Sequence, residues 1–257
     1  DNVSGKAGGE LSRWTATGKE EDSLLTYRML ACDYDRTLAT DAVMTSEPLK
    51  ALAELKEAGW LSGLVTGREL QDLLNICIDI RLFDLVVAEN GAVLYLPHTR
   101  EAIDLAPPPP AEFLKELGKR GIPFSKGRVI VASPAEYLPE VTRLIQAMRL
   151  DLEAILNRDS AMFLPKGIDK GSGLTAGASR IGIPLDQIVA IGDAENDIPF
   201  LRVCGFSVAV ENAIDDLKRE ADFVTSLPNG QGVAQFIREH VLSPSGATLP
   251  AAKPVRS

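Results

Sequence analysis

The feature that most constrains this fold is a regular alternation of short apolar runs with amphipathic stretches, which breaks off and later resumes. An apolar run of roughly four to eight residues predicts a strand, and apolar residues repeated at helical spacing predict a helix. Alternating strands and helices predict a parallel sheet covered by helices. The alternation changes after residue 91 and returns after Pro165. We therefore predict an α/β, Rossmann-like core with helices on both faces, interrupted by a small α+β insert.

The pattern also predicts individual elements. A helix at 46–58 places Leu49, Leu52 and Leu55 on one face, with Ser46 as its N-cap. The other predicted helices are 70–80, 112–119, 136–149, 173–181, 213–221 and 231–241. The predicted strands are 28–34, 61–65, 84–88, 93–96, 128–132, 152–157, 161–164, 187–191, 206–210 and 222–225.

The domain organisation follows from these elements. The core comprises 27–91 and 165–242, and the insert, interpreted as a cap, comprises 92–164. The segments 1–26 and 243–257 are polar or rich in Pro, Ala and Ser, and we expect flexible extensions there. We find no signal-peptide pattern in 1–26 and no apolar run of membrane-spanning length, so we expect a cytoplasmic protein without a membrane partner.

Composition excludes several function classes. The net charge is −9, and no Lys/Arg-rich run interrupts the acidic surface, which argues against nucleic acid as a partner. The negative charge also repels small phosphates, so a phosphate site needs its own local positive charge. Three scattered cysteines without a CxxC motif, and only two histidines, argue against a zinc site.

Two carboxylates leave the first predicted strand together. Asp33 and Asp35 follow a buried apolar run, where charge is costly unless a cation or hydrogen bonds compensate. Aspartate is also common in turns after strands, so the pair alone leaves a simple turn open.

Three further signals follow later strands or open a helix. Thr66-Gly67 closes the second strand, where a hydroxyl and a backbone N–H can hold a phosphate oxygen, although an N-cap is equally typical there. Lys170 opens a helix, and residues 192–197 (GDAEND) follow an apolar strand with three acidic side chains that suit Mg²⁺. Ligands bind at the carboxyl ends of strands in such sheets, so we expect one shared site for phosphoryl transfer.

The four signals together resemble the haloacid dehalogenase-like hydrolase superfamily, whose motifs are DxDxT, Ser/Thr, Lys and GDxxND. The position of the insert resembles the type IIB cap branch, and residues 89–92 (ENGA) are similar to the segment that leads into that cap. The resemblance covers about 27–242. It implies a Mg²⁺-dependent phosphatase that hydrolyses a small phosphorylated metabolite, a sugar phosphate or a phosphoglycolate-like acid, through a phospho-aspartate.

The resemblance also implies roles for the acidic residues. Asp33 is the expected nucleophile and a Mg²⁺ ligand. Asp35 is the expected general acid and base, and its backbone carbonyl is expected to bind Mg²⁺. Asp193 is expected to bind Mg²⁺ directly, with Asp197 close by or acting through water.

The remaining implied roles concern phosphate and substrate. Thr66, the Gly67 N–H and Lys170 are expected to hold phosphate oxygens. Asn196 is expected to orient its loop. The expected substrate-binding residues are Gly67, Arg68, Asn90 and Asn196.

One position departs from the family pattern. Arg36 stands where glycine is usual, and a non-glycine residue disfavours positive φ. We expect the loop either to use a conformation open to ordinary residues or to carry strain. We interpret the Arg36 side chain as pointing to solvent, with contact to substrate as the alternative.

Alternatives to a phosphatase remain at this stage. A phosphotransferase or phosphomutase on the same core would pass the phosphoryl group to a sugar hydroxyl. A non-catalytic regulatory module is disfavoured because Asp33 and Asp35 are both present. A nucleotide-binding enzyme is disfavoured because Gly171, Gly173 and Gly177 lack the required spacing and preceding strand.

Overall fold

The structure, a computed structural model, describes residues 27–77, 79–157, 159–243 and 249. The predicted extensions lie outside the described residues, apart from Ser243 and Leu249. Described strands form one sheet of eight and one of four. They are β1 (Met29–Cys32), β2 (Leu61–Val65), β3 (Leu85–Ala88), β4 (Val93–Leu96), β5 (Glu101–Asp104), β6 (Ser125–Lys126), β7 (Val131–Pro134), β8 (Leu152–Asn157), β9 (Ser160–Pro165), β10 (Ile188–Gly192), β11 (Phe206–Ala209) and β12 (Phe223–Val224).

The helices agree broadly with the apolar spacing. In the first of them, Ala51, Leu52 and Leu55 are buried on one face. Its N-cap is Thr45, and the predicted cap, Ser46, is the first helical residue. None of the described helices is both long and apolar enough to cross a membrane. The α-helices are α1 (Ser46–Glu57), α2 (Leu70–Ile76), α3 (Ala111–Lys119), α4 (Leu138–Ala147), α5 (Lys170–Ile181), α6 (Ile198–Val203), α7 (Asp215–Glu220) and α8 (Asn229–Phe236).

The eight-stranded sheet confirms the predicted α/β class. Its strand order is β12-β11-β10-β1-β2-β3-β4-β5. The first six strands run parallel, and helices flank the sheet. Strand β1 is entirely buried between β10 and β2. Because these three strands are parallel, the residues that follow them meet at one edge of the sheet.

The four-stranded sheet belongs to the insert. Its order is β6-β7-β9-β8, and all its pairs are antiparallel. Helices α3 and α4 pack with it around an apolar cluster separate from the main core. Buried members of this cluster include Phe113, Leu117, Val141 and Phe163. We call residues 105–165 the cap and the other described residues the core.

The sheet topology moves the predicted start of the cap, residue 92. Strand β4 pairs antiparallel with β3, and β5 pairs with β4, so both extend the core sheet. The sequence assigned β4 to the insert and missed β5. Buried Val93 and Leu94 explain the difference, because they pack against the core rather than the cap.

Other boundaries also differ from the predictions. The predicted strand at 128–132 begins only at Val131, because the N–H groups of 128–130 donate to a carboxylate instead of a neighbouring strand. Helix α2 ends at Ile76 rather than residue 80. Helix α5 begins at Lys170 rather than residue 173, since Asp169 caps it. Helix α6 was not predicted.

Candidate active site

The predicted polar residues converge at the carboxyl ends of the central strands. Asp33 follows β1, Thr66 follows β2 and Asp193 follows β10. All three are buried. Lys170, at the start of α5, joins them from the segment that returns from the cap.

Lys170 connects two aspartates below this edge. Its Nζ lies 2.6 Å from Asp33 Oδ1 and 2.5 Å from Asp197 Oδ1. A capping box fixes the start of its helix, since Asp169 accepts the N–H of Ser172 and Ser172 Oγ accepts the N–H of Asp169. The ammonium is therefore held in place by the helix as well as by the carboxylates.

Asp197 also shapes the loop that follows β10. Its Oδ2 accepts the backbone N–H groups of Asp193 and Ala194, at 2.8 and 2.9 Å. A Cβ on Gly192 would lie 2.7 Å from this side chain, so the close turn requires glycine. These bonds position Asp193, whose Oδ1 receives a 3.4 Å hydrogen bond from Thr37 Oγ1.

The cluster holds more negative than positive charge. Oxygen atoms of Asp33, Asp193 and Asp197 lie within 4.8 Å of one another. Lys170 is the one ammonium among these buried groups in the described chain. Carboxylate oxygens are the ligands that hard divalent cations prefer. This donor set therefore fits a cation such as Mg²⁺.

Shifts in pKa agree with a shortage of positive charge. Burial raises the pKa of Asp33 well above its ordinary value; Asp197 and Asp193 add to the shift, and Lys170 offsets part of it. Burial would lower the pKa of Lys170, but the charges of Asp197 and Asp33 outweigh it and raise that pKa. Lys170 remains an ammonium, and an ionised Asp33 benefits from a further cation.

Asp35 points to a different partner. Arg68 Nε and Nη2 donate to its two carboxylate oxygens at 2.7 and 2.8 Å. Arg68 Nη1 donates to Asp72 at 2.6 Å. Arg68 was predicted on the substrate side; the structure places it at the cavity and also on the expected general acid. The Asp35 carboxylate lies outside the three-aspartate cluster, and its predicted metal contact was the backbone carbonyl.

Arg36 adopts the strained conformation that the sequence left open. Its φ is 65°, in the left-handed region that favours glycine. The predicted solvent orientation is only half right: the side chain is 51% exposed, yet its Nε lies 3.4 Å from Asp193 Oδ2. Asn212 Nδ2 donates to the Arg36 carbonyl and supports the turn. Arg36 thus adds positive charge beside a predicted metal ligand.

The Thr66-Gly67 turn forms part of the same edge. Thr66 Oγ1 accepts the N–H of Arg68, which orders the turn. A Cβ on Gly67 would lie 3.3 Å from Met162 Sδ, so the cap approaches the core closely here. The turn therefore contributes to the floor below the cap.

The two predicted asparagines form a buried pair. Asn196 Nδ2 donates to Asn90 Oδ1 at 3.0 Å. Asn196 lines the cavity between the core and the cap. Asn90 and Asn196 both line a smaller neighbouring cavity. Asn90 Nδ2 has no hydrogen-bond partner among the described residues. Binding of substrate by Asn90 stays a prediction, and the structure adds a contact through which Asn90 orients Asn196.

A cavity of about 600 Å³ lies between this edge and the cap. We call it the catalytic cavity. Six predicted residues line it, and Thr66, Asn90, Lys170 and Asp197 lie buried next to or below it. The lining residues from the prediction are Asp33, Asp35, Gly67, Arg68, Asp193 and Asn196.

The sequence missed two contacts of this site and one contact beside it. Thr37 had no assigned role, although it belongs to the DxDxT motif and bonds Asp193. Asp72 lies four residues after Arg68, a spacing that pairs charges on one helix face and could have been recognised. Glu89 lies beside the site and was noted only within residues 89–92; its contacts with the cap have no local signal, because the partners lie about forty residues away.

Comparison with known proteins shows the family to which this chain is similar. A sequence profile described as haloacid dehalogenase-like hydrolase matches residues 30–118 and 147–237. A phosphoglycolate phosphatase from Methanothermobacter thermautotrophicus is 34% identical over 216 residues, covering 82% of this chain and 97% of that protein. One from Methanopyrus kandleri is 30% identical over 222 residues, covering 82% and 96%.

Solved structures show the same fold. Thermoplasma acidophilum 0175 superposes with a TM-score of 0.72 at 19% identity, covering 83% of this chain and 97% of that one. The HAD subclass IIB sugar phosphatase BT4131 superposes with a TM-score of 0.67 at 22% identity, covering 82% and 98%. The fold of this chain is therefore one found in experimental structures.

Proposed function

This chain belongs to the haloacid dehalogenase-like hydrolase family and is a phosphoric monoester hydrolase, and on that premise we propose a Mg²⁺-dependent phosphatase that works through a phospho-aspartate on Asp33. The observation that carries the proposal is the buried cluster in which Lys170 bridges Asp33 and Asp197 beside Asp193. This cluster lies at the floor of a cavity large enough for a small metabolite.

The donor set fits the implied metal ion. Asp33 and Asp193 would hold it, with Asp197 close by and the Asp35 carbonyl as a further ligand. When bound, Mg²⁺ neutralises charge on the phosphoryl group and on the neighbouring carboxylates. The chain supplies the remaining functions.

Binding and the first transfer follow from the side chains at the floor. The Thr66 hydroxyl, the Gly67 N–H and the Lys170 ammonium hold phosphate oxygens. An Asp33 oxygen attacks phosphorus, and the ester P–O bond breaks as the acyl phosphate forms. Asp35 gives its proton to the departing alcohol oxygen.

Hydrolysis of the acyl phosphate reverses the role of Asp35. The carboxylate takes a proton from a water molecule, whose oxygen attacks phosphorus, and the bond between Asp33 and phosphorus breaks. Arg68 occupies both Asp35 oxygens in the structure. Each oxygen keeps a second lone pair that can take the proton, so Arg68 can hold Asp35 in place during both steps.

We propose a small phosphorylated metabolite as substrate, with phosphoglycolate and sugar phosphates as the first candidates. The relatives named phosphoglycolate phosphatase support the first. Among the described lining residues, positive charge comes from Arg36 and Arg68. A second anionic group on the substrate would find its counter-charge there.

The test is capture of the intermediate on Asp33. Wild-type protein mixed with labelled substrate and Mg²⁺, then quenched in acid, should carry phosphate that hydroxylamine releases. Asp33→Asn should lose turnover by roughly 10⁴-fold or more, as when a covalent nucleophile is removed, and should carry no label. Asp186→Asn, an exposed aspartate ahead of β10 at the opposite edge of the sheet, serves as the control. Near-native turnover of Asp33→Asn would remove Asp33 from the mechanism.

A further inference from the structure

Glu89 is a buried carboxylate that the proposed reaction does not use. It follows β3 directly, and none of its surface is exposed. It is absent from the residues that line the catalytic cavity. A buried charge is costly unless hydrogen bonds satisfy it. Its partners therefore reveal its place in the structure.

Both oxygens of Glu89 accept N–H groups from the cap. Oε1 accepts from Arg128 at 2.9 Å, and Oε2 accepts from Val129 at 2.8 Å and Ile130 at 3.0 Å. Oε1 also accepts a longer bond, 3.4 Å, from the N–H of Leu70 at the start of α2. One core side chain thus binds three consecutive residues of the cap.

The backbone around Glu89 adopts conformations that ordinary residues rarely use. Glu89 and Asn90 have φ values of 53° and 54°, and Gly91 has a φ of 109°. A Cβ on Gly91 would lie 1.9 Å from the carbonyl oxygen of Asp169, which caps the helix of Lys170. Such strain persists only where the surroundings enforce it. Here it directs Glu89 toward the cap.

The cap is shaped to receive this carboxylate. A Cβ on Gly127 would lie 2.5 Å from the Glu89 carboxylate, so the close approach requires glycine. The backbone N–H groups of residues 128–130 bind the Glu89 carboxylate and cannot also bond to a neighbouring strand. Strand β7 therefore does not extend into 127–130, and these residues form a loop. Ile130 ends this loop and lines the catalytic cavity. The position of Ile130 therefore depends on Glu89.

We propose that Glu89 is a positioning residue: its carboxylate fixes the cap loop 127–130 over the catalytic cavity and thereby sets the affinity for the natural substrate. The contact lies at the core–cap boundary, and Glu89 is not among the residues that line the catalytic cavity. Loss of the contact loosens one wall of the cavity and leaves the floor assembled. The effect on substrate affinity rests on the proposed function, whereas the effect on the loop does not.

Hydrogen exchange tests the contact directly. In Glu89→Gln, one oxygen becomes an NH₂ donor, so whichever way the amide turns, two backbone N–H groups lose their acceptor. Exchange at residues 128–130 should speed up by roughly 10-fold or more, while β1 keeps its protection. Asp84→Asn is the matched control, since Asp84 precedes the same strand and accepts the N–H of Ser62. Unchanged exchange at 128–130 would overturn the proposal.

A substitution in the cap tests the same contact even if the Glu89 variant does not fold. Gly127→Ala pushes the loop off the carboxylate without touching the core. Gly118→Ala is its control, because a Cβ there meets nothing within 4 Å. Faster exchange at 128–130 in Gly127→Ala but not in Gly118→Ala supports the contact. Equal behaviour of the two variants overturns it.

Kinetics separate positioning from a purely structural role. In Glu89→Gln and Gly127→Ala, KM for phosphoglycolate should rise by roughly 10-fold, while kcat for an activated aryl phosphate changes by less than about 2-fold. Unchanged KM, or loss of kcat on both substrates, overturns the role in affinity. If wild type hydrolyses none of the phosphate esters offered, the proposed function fails, and the exchange results still decide the role of Glu89 in the loop.

Discussion

The floor and the roof of the catalytic cavity are built from different chemistry. The floor, which the core supplies, carries charged residues that include Asp33, Asp35, Arg36, Arg68 and Asp193. The roof, which the cap supplies, carries no ionisable group among its described lining residues. Those residues are Ser125, Ile130, Ala132, Asn157, Ser160 and Met162.

The two sides also differ in how they are held. Below the floor, Lys170 bonds Asp33 and Asp197 in a buried network, and Arg68 bonds Asp35 at the cavity. The cap has its own apolar cluster, but the roof residues Ile130 and Met162 belong to the main core cluster, and Glu89 of the core binds the cap loop. If the proposed function holds, we infer that the core residues carry out the reaction and the cap residues select the substrate by its shape. The two properties should therefore change independently.

Removal of divalent metal should have the largest effect, because it acts on the floor alone. With EDTA, turnover of every phosphate ester should fall to background, since three carboxylates then face one ammonium. Excess Mg²⁺ should restore it, and Ca²⁺ should substitute poorly because it prefers larger, more flexible coordination. Phosphate release measures the effect. Undiminished turnover in EDTA would show that the acidic cluster does not need a divalent metal ion for the reaction.

Lys170→Met should come next. Loss of the ammonium leaves Asp33 and Asp197 without their shared partner, and kcat should fall by on the order of 10³-fold on large and small substrates alike. Lys166→Met is the matched control, because Lys166 is an exposed lysine four residues earlier whose described partner is Asp151. A fall confined to one substrate would assign Lys170 to specificity rather than to the reaction.

Phe113→Ala should destabilise the cap without destabilising the core. Phe113 is fully buried in the cap cluster, and such a truncation costs about 3–5 kcal/mol. Hydrogen exchange should accelerate in β7 and β9 but not in β1. Phe124→Ala is the control, since Phe124 is 37% exposed. Equal acceleration in β1 would show that core and cap unfold as one unit.

Ala132→Leu should give the smallest effect and should change selectivity alone. The larger side chain narrows the roof, so KM for sugar phosphates should rise by roughly 10-fold more than KM for phosphoglycolate. Ala154→Leu, at an exposed position of the neighbouring cap sheet strand β8, is the control. A uniform change on all substrates would contradict a shape-selecting roof.

Much of the floor could be predicted because its residues follow strands in short motifs. Asp33, Thr66, Lys170 and Asp193 each stand next to an element boundary that the apolar pattern indicates. Because neighbouring strands of a parallel sheet end at the same edge, these residues are expected to lie together once the sheet is predicted. The eight-stranded sheet confirms the predicted fold class, on which this convergence depends.

The parts that could not be predicted depend on pairing across long separations. Arg68 was expected on the substrate side. Its pairing with Asp35 depends on side-chain geometry, which the sequence does not give. Strand 128–132 was shortened because Glu89 competes for its N–H groups. The start of the cap was misplaced because β4 and β5 return to the core sheet edge. Local propensity carries none of these tertiary contacts.

The position of β1 between two parallel neighbours has a consequence for biosynthesis. Leu30 pairs with Ser62 on one side and with Val189 on the other. A chain that emerges from its N-terminal end can assemble β1 to β5 early, but the second edge of β1 stays unpaired until the cap has been translated. Asp33 likewise lacks its hydrogen-bond partner Lys170 until that residue, 137 positions later in the chain, has been translated. Until β10 has been translated, β1 therefore has one edge without its partner strand.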